Sequence, residues 1–217
     1  MTKPIQYYGL ATPNGQKVSI ALEEMELPYE FHRINIRAGD QHSEGYRKIN
    51  PNGKIPAIID PEGADGNPIT VVESGAILIY LAEKSGKFLS ADPRFRIETI
   101  QWLMFQMAGL GPIFGQFGHF HKFADPELDH SYALERYRNE SRRLLGILDD
   151  RLAGRDFIID SGYSIADITT FPWITASLEL YKSAEAFELD SFKNVMDWYE
   201  RCTARPGAQR GKQVGAF

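Results

Sequence analysis

The spacing of apolar residues changes character once along this chain, and that change limits the folds open to it. Up to residue 87, short β-branched and aromatic runs alternate with helical spacing; from Pro93 onward the spacing is helical throughout. Ile5 to Tyr8 reads as a strand ending at Gly9. Thr12 is a good N-cap, Pro13 suits a first helical position, and Val18, Ala21, Leu22 and Met25 recur at i, i+3, i+4 and i+7, predicting a helix from Pro13 to about Glu26. Tyr29 to Ile36 reads as a second strand, parallel to the first because a helix joins them. Ala57 to Asp60 and Ile69 to Val72 flank a turn-rich segment and predict a hairpin, and Ser74 to Lys84, with Ser74 as N-cap, closes the half as a helix.

Helices are expected at Ile97 to Met107, Tyr132 to Leu152, Ser164 to Tyr181 and Phe192 to Thr203, with no strand pair among them. Gly109-Leu110-Gly111-Pro112 should kink or split the first of these patterns. Ser164-Ile165-Ala166-Asp167 reads as a capping box with Asp in place of the usual Glu. The polar stretch Gly86 to Asp92 separates the halves, so the fold class is α/β plus all-α, with an α/β domain at 1–87 and an all-helical domain at 93–217.

Composition removes several function classes. A balance of 24 basic to 29 acidic side chains, net −5, lacks the basic stripe that nucleic acid requires. No apolar run is long enough to span a membrane, and no signal-like apolar run follows the charged start, so a cytoplasmic address is expected. Cys202 is the single cysteine, which excludes an internal disulfide, a Cys-x-x-Cys redox pair and a thiolate zinc cage. It shares a helix face with Val195 and Tyr199 and reads as packing. His119 and His121, two apart, make a poor metal pair on a helix, and no metal site is expected. Any sulfur chemistry must borrow its sulfur from a ligand.

Three segments can carry that ligand. Ala11-Thr12-Pro13-Asn14-Gly15 sits where a strand gives way to a helix, so first-turn N–H groups can face an anion, although a bare capped loop has the same sequence. Tyr7 and Tyr8 beside it offer phenols or core packing. Asn50-Pro51-Asn52-Gly53-Lys54-Ile55-Pro56 ends in a candidate cis bond that would turn the Ile55 backbone outward, to pair with an extended peptide or to lie in an ordinary loop. Glu73-Ser74 opens a second helix, where the hydroxyl and neighbouring N–H groups suit a carboxylate and Glu73 an amine. Together these describe a socket for a short zwitterionic peptide. Arg136 has Glu140 at i+4, so an ion pair on a solvated helix face competes with ligand contact.

The Lys54 to Pro56, Glu73 to Ile77 and Ser164 to Asp167 segments resemble signatures of the cytosolic glutathione transferases over essentially the whole chain. Thr12-Pro13-Asn14-Gly15, Gln101-Trp102, Gly109 to Pro112 and Glu135-Arg136-Tyr137 are similar to the bacterial Nu class, whose members act as glutathione-dependent disulfide-bond reductases. The resemblance implies a thioredoxin-like first domain, glutathione as cosubstrate, no metal, a small-molecule disulfide or electrophile as second substrate, and a homodimer. It implies that Thr12 and Asn14 approach the glutathione sulfur as catalytic groups. Ile55 would pair its backbone with the cysteinyl unit, Glu73 and Ser74 would hold the γ-glutamyl end, and Gln41, Lys54 and Arg136 would meet the remaining polar groups. Where related classes use Tyr, Ser or Cys as thiol activator, this sequence has Thr-Pro-Asn. Disulfide reduction, with peroxides as further substrates, is therefore expected ahead of conjugation to an electrophile or a non-catalytic binding role.

Overall fold

Strand β1 (Ile5–Gly9) alternates buried and half-buried residues, as a strand with one covered face does. The computed structural model describes residues 3–216; the first two and the last position of the expected domains lie outside that range. Helix α1 (Pro13–Met25) follows β1 and leads into β2 (Tyr29–Arg33), which pairs parallel to β1 with Tyr7 opposite Phe31. β2 stops short of the expected Ile36, because Asn35 turns the chain, its N–H donating to Asp40 Oδ2 at 2.8 Å. β3 (Ala57–Asp60) and β4 (Ile69–Val72) form the expected hairpin, and β3 lies antiparallel to β1, giving the order β2-β1-β3-β4.

The helix α2 (Glu44–Ile49) and the 3-10 turn Asp40–His42 before it are absent from the sequence reading, being too short to show a period. Ser43 caps α2 by accepting from Tyr46 N–H. α3 (Ser74–Ser85) begins one residue earlier than expected: Glu73 holds the N-cap position, and Ser74, expected as the cap, is the first helical residue. Tyr7, Val18, Leu22, Ile58, Ile77 and Leu78 are buried between the sheet and these helices.

In the helical half, α4 (Pro93–Phe105) runs through a turn of π-helix at Gln106–Leu110 into α5 (Gly111–Gly118). The expected interruption at Gly109 to Pro112 thus takes the form of a widened turn, with Gly111 still helical at φ −60, ψ −55. That turn holds buried Gln106, whose Oε1 accepts from Thr169 Oγ1 at 2.9 Å. Next come α6 (Ser131–Leu152), α7 (Ile165–Thr175), the short α8 (Ala184–Phe187) and α9 (Lys193–Thr203). The capping box of α7 forms as read: Ala166 N–H donates to Ser164 Oγ and Ser164 N–H to Asp167 Oδ2. Cys202 is fully buried on α9 with Val195 and Trp198.

Contacts group residues through Leu89 with those from Ala204 onward, and Ser90–Thr203 as a second unit. The last helix, α10 (Pro206–Gln213), therefore packs with the α/β half and not with the helical domain expected to run to the end of the chain. The reason is close packing on α1. A Cβ on Gly211 would come within 2.5 Å of Ile20 Cα, Ser19 Oγ donates to Gly211 O at 2.8 Å, and Arg205 makes a two-pronged pair with Glu24.

Candidate functional site

The polar groups of the α/β unit gather at one end of its sheet. Tyr8 in β1 stands opposite Ala57 in β3, and Ala57 opposite Val72 in β4, so the segments that follow β1, precede β3 and follow β4 lie side by side. Those segments carry Thr12 and Asn14, Ile55, and Glu73 and Ser74.

At the first of them, Thr12 is extended at φ −87, ψ 164, and its Oγ1 accepts from Gly15 N–H at 3.2 Å. Gly15 is required by this turn, since a Cβ would sit 1.9 Å from Leu10 O. The cap uses an acceptor lone pair of Thr12 and leaves its hydrogen to point elsewhere. Asn14, half-exposed, makes no side-chain hydrogen bond among the described residues. The two tyrosines of β1 face opposite ways. Tyr7 is buried with its hydroxyl donating to Gly15 O at 2.9 Å, and burial holds its phenol far above the ordinary value. Tyr8 stacks on His32 with ring centroids 4.6 Å apart, and partial burial, with the Glu30 charge, also raises its phenol. Neither phenol is set up to ionise; the hydroxyl and amide at the helix end are neutral donors.

At the second segment the Ile55–Pro56 bond is cis, and the Ile55 backbone N–H and C=O have no partner among the described residues. The neighbouring Lys54 O is fixed by Tyr46 Oη at 2.6 Å and Asn50 Nδ2 at 2.8 Å, while the Lys54 side chain is exposed. Gln41 comes to the same loop: its carbonyl lies 3.2 Å from where a Gly53 Cβ would be. Its Nε2 donates to Ile36 O, and its Oε1 is buried with no partner among the described residues. Tyr46 and Asn50, which hold this loop, escaped the sequence reading along with α2.

At the third segment Glu73 is exposed and non-glycine at φ 68, ψ 115, a conformation that costs of order 1–3 kcal/mol and concentrates at functional positions. Ser74 beside it is buried and accepts from Lys17 Nζ at 3.4 Å. Lys17 is 1% exposed. Burial pushes its ammonium down to about 7, with Glu73 pulling it back up. A signal for Lys17 does exist in the sequence, since it falls on the buried stripe of Pro13, Ile20 and Ala21 at i−4, i+3 and i+4.

Arg136 lies in the helical unit, exposed on α6, and lines an open hollow of about 820 Å³ with Tyr132, Tyr137, Glu140, Arg143 and Ile113. The expected pair with Glu140 is not made. Glu140 instead takes a two-pronged bond from Arg143, at 2.8 and 2.7 Å, because the planar guanidinium of Arg143 reaches both oxygens from one turn away. His121 stacks on Phe117, and among the described residues no cluster of His, Cys, Asp and Glu could hold a metal ion. No helix of the described residues is long and apolar enough to cross a membrane.

A β2-β1-β3-β4 sheet with a cis-proline loop beside two helix N-termini is a thioredoxin-like unit, and an all-helical unit after it completes the glutathione transferase architecture. Residues 11–84 match the family model for the glutathione S-transferase N-terminal domain, and residues 105–206 that for its C-terminal domain. The disulfide-bond oxidoreductase YfcG of Escherichia coli is 42% identical over 93% of this chain and 91% of its own. A Pseudomonas putida glutathione transferase, solved with one glutathione disulfide per subunit, superposes with TM-score 0.95 and 49% identity over 97% of this chain and 91% of its own. A Pseudomonas fluorescens relative with two glutathione bound gives 0.94 and 51%, over 96% and 92%. The chain belongs to the glutathione S-transferase family.

Proposed function

We propose that this protein is a glutathione-dependent disulfide-bond reductase, acting as a homodimer in the cytoplasm. One observation carries the reading: the α1 N-terminus offers a hydroxyl and an amide, and the only cysteine is buried in the other unit. Glutathione supplies the sulfur, since two of its thiols provide the two electrons that reduce a disulfide and leave as glutathione disulfide. Thr12 Oγ and Asn14 Nδ2 donate hydrogen bonds that favour thiolate over thiol, reinforced by the positive end of α1. Ile55 pairs its open N–H and C=O with the cysteinyl backbone, and Glu73 and Ser74 take the amine and carboxylate of the γ-glutamyl end. Gln41, Lys54 and Arg136 take the remaining polar groups of the peptide and its disulfide partner.

The names of YfcG and of the glutathione-bound relatives support this reading. Ile97 and Met104, exposed a heptad apart on α4, support an apolar contact with a second copy. The cytoplasm is where glutathione is kept reduced. The test compares turnover of hydroxyethyl disulfide with conjugation of a model aryl halide, both with glutathione. Faster disulfide turnover is expected; conjugation alone would reassign the enzyme, and inactivity with both would leave a binding module.

A further inference from the structure

Gly215, just past α10, touches the turn that carries Thr12. α10 runs antiparallel to α1. Arg205 ahead of it pairs with Glu24 and Gly207 abuts Glu24 near the end of α1, Gly211 lies on Ile20 one turn back, and Gly215 reaches Ala11 ahead of Pro13. There Ala11 N–H donates to Gly215 O at 3.2 Å. Gly215 is at φ 71, and a Cβ on it would fall 2.7 Å from Phe31 Cζ and 3.4 Å from Ala11 N, so its backbone angle and the space between β2 and the turn both call for glycine. One residue on, Ala216 O accepts from Arg33 Nη1 at 3.3 Å.

The turn is also gripped from the sheet side. Tyr7 Oη donates to Gly15 O, Thr12 N–H donates back to Leu10 O at 2.7 Å, and Gly15 packs on Leu10 O. Gly215 O holds the Leu10–Ala11 peptide, which leads into Thr12. We propose that Gly215 is a positioning residue for the sulfur site: its carbonyl, by holding Ala11 N–H, sets the direction in which Thr12 Oγ and Asn14 Nδ2 meet the glutathione sulfur. Joining α10 to α1 does not require it, because Ser19 already donates to Gly211 O and Arg205 already grips Glu24. What the Gly215 contact adds lies next to the groups that face the sulfur, where a displacement of about 1 Å can cost roughly a hundredfold in rate. The inference rests on the glutathione reading above and adds a residue to it.

The experiment compares Gly215→Val with the parent and with Arg205→Gln, which loosens α10 at its far end. Amide hydrogen exchange reads the Ala11 N–H, thiolate absorbance against pH reads bound glutathione, and steady-state rates with hydroxyethyl disulfide at about pH 7 give kcat and KM. Gly215→Val is expected to speed exchange at Ala11 about tenfold or more and to raise the pKa of bound glutathione by about one unit. Its kcat should fall about tenfold while KM for glutathione stays within about twofold of the parent. Gly215→Ala should move each readout the same way by less, and serves if the Val variant folds poorly. Arg205→Gln should lower Tm and leave the thiolate pKa and kcat in place. Unchanged exchange at Ala11, a lower Tm with unchanged thiolate pKa and kcat, a loss of glutathione affinity as large as the loss of kcat, or the same shifts in Arg205→Gln would each overturn the proposal. A parent without disulfide turnover overturns the functional reading, whereas an active parent matched by its Gly215 variants removes this inference alone.

Discussion

The N-terminus of α7 in the helical unit and those of α1 and α3 in the α/β unit are all opened by short polar residues, yet they use them in opposite ways. At α7 nothing is left over. Asp167 is fully buried and accepts from Ile158 N–H, Ser164 N–H, Ser164 Oγ and Trp198 Nε1, and burial still holds its carboxyl above the ordinary value. At α1 and α3, Asn14 has no side-chain partner among the described residues, the N-cap residue Glu73 makes no capping bond, and Lys17 is enclosed at a cost. A helix end that spends every hydrogen bond on its own chain stabilises the fold; one that keeps donors back and tolerates strain is equipped to bind.

The sharpest way to break this comparison is Asp167→Ala. It strands four buried donors and should lower unfolding free energy by about 3 kcal/mol or more in a urea titration, with glutathione affinity of the folded protein unchanged. Loss of affinity without loss of stability would make α7 a functional end and dissolve the contrast.

Thr12→Ala and Asn14→Ala should do the reverse, slowing disulfide reduction by roughly ten- to a hundredfold and raising the pKa of bound glutathione, followed by thiolate absorbance against pH. Stability should fall by about 1 kcal/mol for the cap Thr12 and by less than about 0.5 kcal/mol for Asn14. Tyr8→Phe should leave both readouts in place; a Tyr8→Phe protein that alone loses the thiolate would return the role to a phenol.

Lys17 sharpens the contrast through pH. Its proton is held to about 7 in the folded chain and to its ordinary value of 10.5 in the unfolded one. Between those values the unfolded state binds the extra proton, so stability rises with pH by up to about 1.4 kcal/mol per unit, and below about 7 the burial cost is felt in full. Ser74 and Glu73 face Lys17 from the α3 side, while Arg205 and Arg210 are engaged with Glu24 and Glu23 near the other end of α1. Thermal melts of the parent against Lys17→Met at about pH 6 and about pH 9 should therefore converge as pH rises. A constant gap would show that Lys17 does not titrate in this window.

Least change in activity is expected from Cys202→Ala, which trims a buried side chain on α9 and should cost about 1 kcal/mol of stability while disulfide reduction persists. Activity that vanishes in the folded variant would overturn the use of ligand sulfur.

The sequence alone determined the parts of this protein that rest on local periodicity and local chemistry. The strand limits of the β3–β4 hairpin, the cap and extent of α1 and the capping box at Ser164 all follow from side chains a few residues apart. The tertiary structure alone decided what depends on distant partners. α2 is too short to show a period, yet Tyr46 and Asn50 fasten the Ile55 loop through Lys54 O. α10 lies beyond Thr203, where the last expected helix ends, and the fit of Gly211 on Ile20 assigns it to the first unit. Arg143 took Glu140 from Arg136 because rotamers, not spacing, choose between two cations on one face. Lys17 and Ser74 are 57 positions apart, so a lysine on an apolar stripe acquires its meaning only when the sheet brings the two helix ends together.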